Sequence, residues 1–139
     1  MKSIHYLLDT NVLSELSKAA PATAVEQRIQ QYQDQCAVPT PVIDELAFGV
    51  AQLPMSSKKA MLEDWLDRVI YESPLLSFDH YCTLWHGHER SRLRQAGLTR
   101  PYVDGQIAAI AVVNELILVT RNTADFRYFS GLRVEDWFT

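Results

Sequence analysis

Ile4-His5-Tyr6-Leu7-Leu8-Asp9-Thr10-Asn11-Val12-Leu13 joins a short apolar, β-prone run to three residues that favour helix caps. That junction predicts a strand over 4–8 ending at Asp9, then a helix from Val12 to about Ala19. Pro21 opens a second helix reaching about Gln33, and Cys36–Val38 is the next strand. Thr40, with Pro41 at the first helical position, starts a helix whose apolar stripe is Val42, Leu46, Val50 and Leu53. The break Pro54-Met55-Ser56-Ser57 precedes a helix with Met61, Leu62, Trp65, Leu66, Val69 and Ile70 on one side.

Ser73-Pro74 stops that helix, Leu75-Leu76 makes a minimal strand, and a helix from Asp79 to about Gln95 closes at Gly97. Pro101 begins the next helix, through Ile107, Ala108, Ala111 and Val112. Leu116–Val119 is a strand, Thr120–Tyr128 a turn with a short helix, and Leu132–Val134 a final strand. Strands alternating with helices predict an α/β fold, a mostly parallel sheet covered on both faces. Ligands in such folds sit beyond the carboxyl ends of the strands, where the strand order reverses.

The 139 residues fit one domain, 1–139, and 47% hydrophobic content with 22% charge excludes a disordered chain. Met1–Leu8 carries one Lys and too short an apolar run for a secretory signal, and no stretch approaches a membrane span. Cys36 and Cys82 match no zinc spacing and read as small apolar residues, as suits a reducing cytoplasm. At a net charge of −4 the chain as a whole repels polyanions, so a nucleic acid needs a local patch or bound cations.

Four acidic residues stand out, each with an ordinary structural reading beside the functional one. Asp9 is an N-cap or a carboxylate aimed into the crevice beyond the first strand. Asp125 follows the strongest strand; alone, it complements a short helix capped by Asn122. Glu45 lies at the border of the apolar stripe of its helix, where a carboxylate needs a partner. Asp104 shares a face with Ile107, Ala108 and Ala111, where a helix N-terminus compensates desolvation poorly and either a cation or an Arg such as Arg100 or Arg121 must help. If all four converge, they require divalent counter-charge, and hard oxygen donors without Cys or His select magnesium or manganese.

Leu8-Asp9-Thr10-Asn11-Val12-Leu13, Ile43-Asp44-Glu45-Leu46-Ala47-Phe48-Gly49-Val50, Val103-Asp104-Gly105-Gln106-Ile107-Ala108-Ala109 and Thr120-Arg121-Asn122-Thr123-Ala124-Asp125-Phe126 resemble, in order, the four signature blocks of PIN domains, in particular of the VapC toxins of toxin–antitoxin pairs. The resemblance implies a three-layer α/β/α fold around a five-stranded parallel sheet and a magnesium-dependent ribonuclease. It further implies a homodimer and an antitoxin partner. The family's acidic quartet falls on Asp9, Glu45, Asp104 and Asp125, and its polar support on Thr10, Asn11, Thr120 and Asn122. Gly105-Gln106 departs from the larger apolar residues usual there.

The expected chemistry is attack by metal-activated water on an RNA phosphodiester, with Asp9 and Asp104 holding the ion and Glu45 and Asp125 completing the site. Two rival readings stand beside it. A phosphatase with Asp9 as nucleophile would want a second Asp where Asn11 stands. A non-catalytic chain that binds DNA only with a basic partner is the other. Arg90, Arg92, Arg94 and Arg100 form the one basic cluster, a solvated helix end on the plainer view and a phosphate track on the other. His86 and His88 do not share a helical face and make no convincing metal pair. Trp65, Trp85 and Trp137 read as core or interface anchors, and apolar surface on the early helices as a groove for an antitoxin or a second copy.

Overall fold

A computed structural model of the chain describes residues 3–139. The elements run β1 (Tyr6–Leu8), α1 (Thr10–Leu16), α2 (Thr23–Tyr32), β2 (Cys36–Pro39), α3 (Thr40–Ala51) and α4 (Ser57–Glu72). They continue with β3 (Leu75–Leu76), α5 (His80–Gln95), α6 (Tyr102–Val113), β4 (Ile117–Val119), α7 (Thr123–Phe126) and β5 (Arg133–Glu135). A single 3-10 turn, Gln33–Gln35, links α2 to β2.

All five strands are parallel, in the order β3-β2-β1-β4-β5. The chain moves outward from β1 through β2 to β3, then returns to the other side of β1 for β4 and β5. Right-handed crossovers therefore place the helices preceding β2 and β3 on one face and those preceding β4 and β5 on the other. The order reverses between β1 and β4, whose registers pair Leu8 with Val119. Asp9 and Thr120 are thus the first residues beyond two adjacent strand ends.

Leu7, Leu118 and Val119 are fully buried, as expected of central strands covered on both faces. In α6 the run Ile107–Ala111 is buried all round, and its alanines let neighbouring elements approach closely. Trp137, also fully buried, packs with Tyr6 and Tyr32, their ring centroids 5.1 and 5.7 Å away. Trp65 and Trp85 are partly buried against the same core.

Local signals set most element ends. Ser56 and Asp79 cap α4 and α5 through their side chains, accepting from Lys59 N at 3.1 Å and Cys82 N at 3.0 Å. Gly97 takes a left-handed φ of 78° where α5 must stop. Several boundaries differ from the sequence reading: β1 starts at Tyr6, α1 at Thr10 and β4 at Ile117, β2 extends to Pro39, and three further differences have a local cause. α1 ends at Leu16, because Ser17 already bonds back to Ser14. α2 starts at Thr23, with Ala22 as its cap and Pro21 outside the helix. β5 is displaced by one residue, since its register is set by pairing with β4. Both cysteines are free and buried; burial pushes the Cys36 thiol up to about 12 and the Cys82 thiol to about 11.

Candidate active site

β1 delivers Asp9 to the reversal point, where its carboxylate is 5% exposed. Its Oδ1 accepts the Thr10 backbone N–H at 2.8 Å, which also caps α1, so the ordinary reading of this residue holds alongside any other. Its Oδ2 accepts the Thr120 hydroxyl at 2.8 Å and the Asn11 amide at 3.4 Å. Asn11 reaches across the gap as well, donating to Thr120 Oγ1 at 3.2 Å and accepting from Arg121 N at 3.0 Å. Thr120 Oγ1 in turn accepts from Asn122 N at 3.0 Å. The side chains of Asn11 and Thr120 thereby form one network that ties the loop after β1 to the loop after β4, and Asn122 joins it through its backbone N–H. Thr10 joins it through its backbone; its buried hydroxyl has no hydrogen-bond partner, although it lies close enough to Glu45 to favour that carboxylate's ionised form.

Asp9, Glu45 and Asp104 line a single pocket of about 450 Å³ at this edge of the sheet, with Thr10, Asn11 and Asn122. Glu45, on α3, stays open to solvent at the pocket mouth and lies less deep than its place beside the apolar stripe implied. Asp104, in the first turn of α6, is partly buried and has no hydrogen-bond or ion-pair partner among the described residues. Asp125 is placed differently. It stands in α7 outside the pocket lining, 56% exposed, with Arg100 Nη2 3.7 Å from its Oδ1. Asn122 does precede α7, but its side chain makes no capping bond.

The electrostatics follow from this crowding. Burial raises the Asp9 pKa, against the lowering effect of the Thr120 and Thr10 bonds. Glu45 is raised by loss of water and then by the charge of Asp9, with a smaller push from Asp104. Asp104 is raised by loss of water, then by Asp9 and Asp125, against the attraction of Arg100. The charge of the buried Asp9 thus disfavours the ionisation of both Glu45 and Asp104.

Pocket residues that sequence reasoning passed over include Glu15, Lys18 and Phe138, and Arg121, considered there only as a partner for Asp104, lines the pocket with them. Glu15 is buried on α1, one helical turn after Asn11. It accepts from Lys18 Nζ at 2.8 Å and from Ala22 N at 2.9 Å. The i, i+4 spacing from Asn11 was the available signal. Arg121 lies over the Phe138 ring at 4.6 Å, a contact no local pattern encodes.

The donor chemistry fits a hard divalent cation. Every candidate ligand is an oxygen, and no Cys or His lines the pocket. Among the described residues no three His, Cys, Asp or Glu side chains converge tightly enough to cage an ion by themselves. Magnesium ordinarily takes only one or two carboxylates and keeps several waters, and an open pocket of this kind suits it better than a dehydrated cage.

A parallel α/β/α domain with carboxylates and hydroxyls gathered at its strand-order reversal falls in the class of proteins built to bind a ligand or ion at that edge. The chain belongs to the PIN-domain family, whose model matches residues 6–132. It is 33% identical to the plasmid stability protein StbB of Pseudomonas syringae pv. tomato, covering 92% of this chain and 94% of the relative. It is 30% identical to the tRNA(fMet)-specific endonuclease VapC of Shigella flexneri, over 96% and 98% of the two chains. Its fold matches a chain in the structure of VapBC2 from Rickettsia felis bound to a DNA fragment from their promoter, with a TM-score of 0.84 and 27% identity over 96% of this chain and 99% of that one.

Proposed function

We propose that the protein is a metal-dependent endoribonuclease, the toxin of a toxin–antitoxin pair, that hydrolyses RNA phosphodiesters. The observation that carries this reading is the convergence of Asp9, Glu45 and Asp104, all with raised pKa, on one pocket at the strand-order reversal. The relatives named as an endonuclease and as part of VapBC point the same way.

Magnesium or manganese bound here would supply an activated water at neutral pH and neutralise charge on the phosphate. Asp9 and Asp104 are the residues to hold it. Asp9 is oriented by Thr10 and Thr120, so its carboxylate cannot rotate away, while Asp104 has unengaged oxygens. Glu45, raised and open at the mouth, is placed to accept a proton or orient a water, and Asp125 with Arg100 borders the path of the strand. The Thr120 hydroxyl orders the loop by accepting the Asn122 backbone N–H while donating to Asp9, and the Asn122 side chain lines the pocket. An aspartyl-phosphate mechanism is disfavoured, because Asp9 is buried with both oxygens accepting hydrogen bonds and Asn11 offers no acid.

The partners in this reading are RNA, a cognate antitoxin and a second copy of the chain. Exposed Phe48, Met61 and Tyr71 on α3 and α4 supply apolar surface for one of the two protein partners. No helix of the described residues is long and apolar enough to cross a membrane, and we place the protein in the cytoplasm with its RNA.

The test is cleavage of single-stranded RNA with magnesium or manganese, then with EDTA, by the wild type and by Asp104→Asn. Asp104 accepts no hydrogen bond among the described residues, so this change removes a charge without breaking the Asp9 network. Cutting should need the ion and fall at least about 100-fold in the variant, as loss of a metal ligand does. Equal cutting by Asp104→Asn, or cutting undiminished in EDTA, ends the proposal.

A further inference from the structure

A second depression, of about 570 Å³, lies between the last turns of α5 and the start of α6. Arg90, Arg94 and Arg100 line it with Ser91 and Thr99, and no Asp or Glu does. In a chain with 17 acidic and 13 basic residues, three arginines around a pocket free of carboxylates are a local reversal of charge.

The contacts sort the basic cluster. Arg92 is spent on structure: it forks onto the buried Glu89 at 2.6 and 3.0 Å and donates to Tyr128 O at 2.7 Å. The other three keep free donors. Arg94 has no ion pair or hydrogen bond among the described residues. Arg90 lies over the Tyr102 ring at 4.9 Å, a contact that uses its face and leaves its N–H edge open. Arg100 stacks on Tyr128 at 4.8 Å, reaches Asp125 only at 3.7 Å, and has a buried Nε with no partner.

Both pockets are bordered by the start of α6. Pro101 and Gly105 border the basic one and Asp104, between them, borders the acidic one. A strand that presents one phosphodiester to the carboxylates carries its neighbouring phosphates past this point. Guanidinium forks beside two hydroxyls match the oxygens of a phosphate. We propose that Arg90, Arg94 and Arg100 form a subsite for the backbone phosphates of single-stranded RNA that flank the scissile bond. This rests on the nuclease reading above.

Arg90→Gln/Arg94→Gln tests it, since both side chains are exposed and free. Binding of a labelled single-stranded RNA of about 12 nucleotides is followed by anisotropy on the Asp104→Asn protein, from about 50 to 200 mM salt. Removing two phosphate contacts should lower the slope of log affinity against log salt by about 1.4. In chains with Asp104 intact, the double variant should raise KM for the same RNA by about tenfold and change kcat by less than about twofold. Lys58→Gln/Arg68→Gln, on α4 and outside both pockets, controls for lost charge and should leave slope and KM in place. A wild type that cuts RNA while Arg90→Gln/Arg94→Gln matches the control overturns the subsite and leaves the nuclease standing. An arginine-dependent slope in a chain that cuts no RNA sinks the nuclease reading and leaves a phosphate site. Displacement of the RNA by polyglutamate as effectively as by unlabelled RNA assigns the pocket to an acidic protein segment and overturns the proposal.

Discussion

Asp104 concentrates the energetics of the site in one side chain. It sits in the first turn of α6, without a partner, with its pKa raised by lost water and by Asp9 and Asp125. Between the ordinary carboxylate value and the raised one, the folded chain holds a proton that the unfolded chain has released. The stability of the ion-free protein therefore falls as pH rises through that window. Glu15 and Glu89 act in the opposite sense. Lys18 and the Ala22 N–H hold Glu15 low, and at Glu89 burial is outweighed by Arg92 and Ser130; their stabilisation is present at neutral pH and lost as pH falls through their lowered values. Asp104→Asn should thus raise the Tm of ion-free protein at neutral pH by roughly 2–5 °C, with the difference fading toward pH about 4. Manganese should raise the Tm of the wild type and not of the variant. Thermal melts across pH, with and without manganese, check both; a lower Tm for ion-free Asp104→Asn at neutral pH contradicts the account.

The α5–α6 pair explains why glycine follows that aspartate. An added Cβ at Gly105 would meet His86 Nε2 at 2.2 Å, and His86 is buried with Phe78 and Tyr102 packed edge-on against it. The imidazole cannot swing aside, and burial followed by the charge of Arg90 pushes its pKa down. Gly105 is what lets α6 seat against α5. Gly105→Ala should therefore lose roughly 1–3 kcal/mol despite alanine's better helix propensity. In a His86→Ala background the clash is gone, and the same change should become stabilising by up to about 1 kcal/mol. Urea denaturation of the four proteins measures the cycle; additive effects would show that the two residues do not meet.

For the whole molecule, the charge distribution and the apolar surface point in different directions. The acidic pocket and the arginine pocket are both bordered by the start of α6, whereas Phe48, Met61 and Tyr71 are exposed on α3 and α4 at 66%, 58% and 91%. Under the reading proposed above, a second copy of the chain or the antitoxin would cover these residues. The isolated chain should sediment at twice the 15.9 kDa of one copy, and amide exchange on α3 and α4 should slow when the antitoxin is present. A monomer whose α3 and α4 stay unprotected in the complex would remove this assignment.

Element order and the parallel α/β class were legible in the chain, because helix caps, apolar periodicity and strand-end punctuation act over a few residues; the four acids were singled out by their positions, and of these Asp9, Glu45 and Asp104 share the pocket, while Thr10, Asn11, Thr120 and Asn122 came from the family resemblance. The bond from Asn11 to Thr120 across 109 positions was not legible; nor were the outward turn of Asp125 toward Arg100, the donation from Arg92 to Tyr128 O, or the fit of Gly105 against His86. Those were decided by which strands became neighbours and how two helices seated against each other. Such contacts are set by packing between segments far apart in sequence, and periodicity within either segment carries no record of the other.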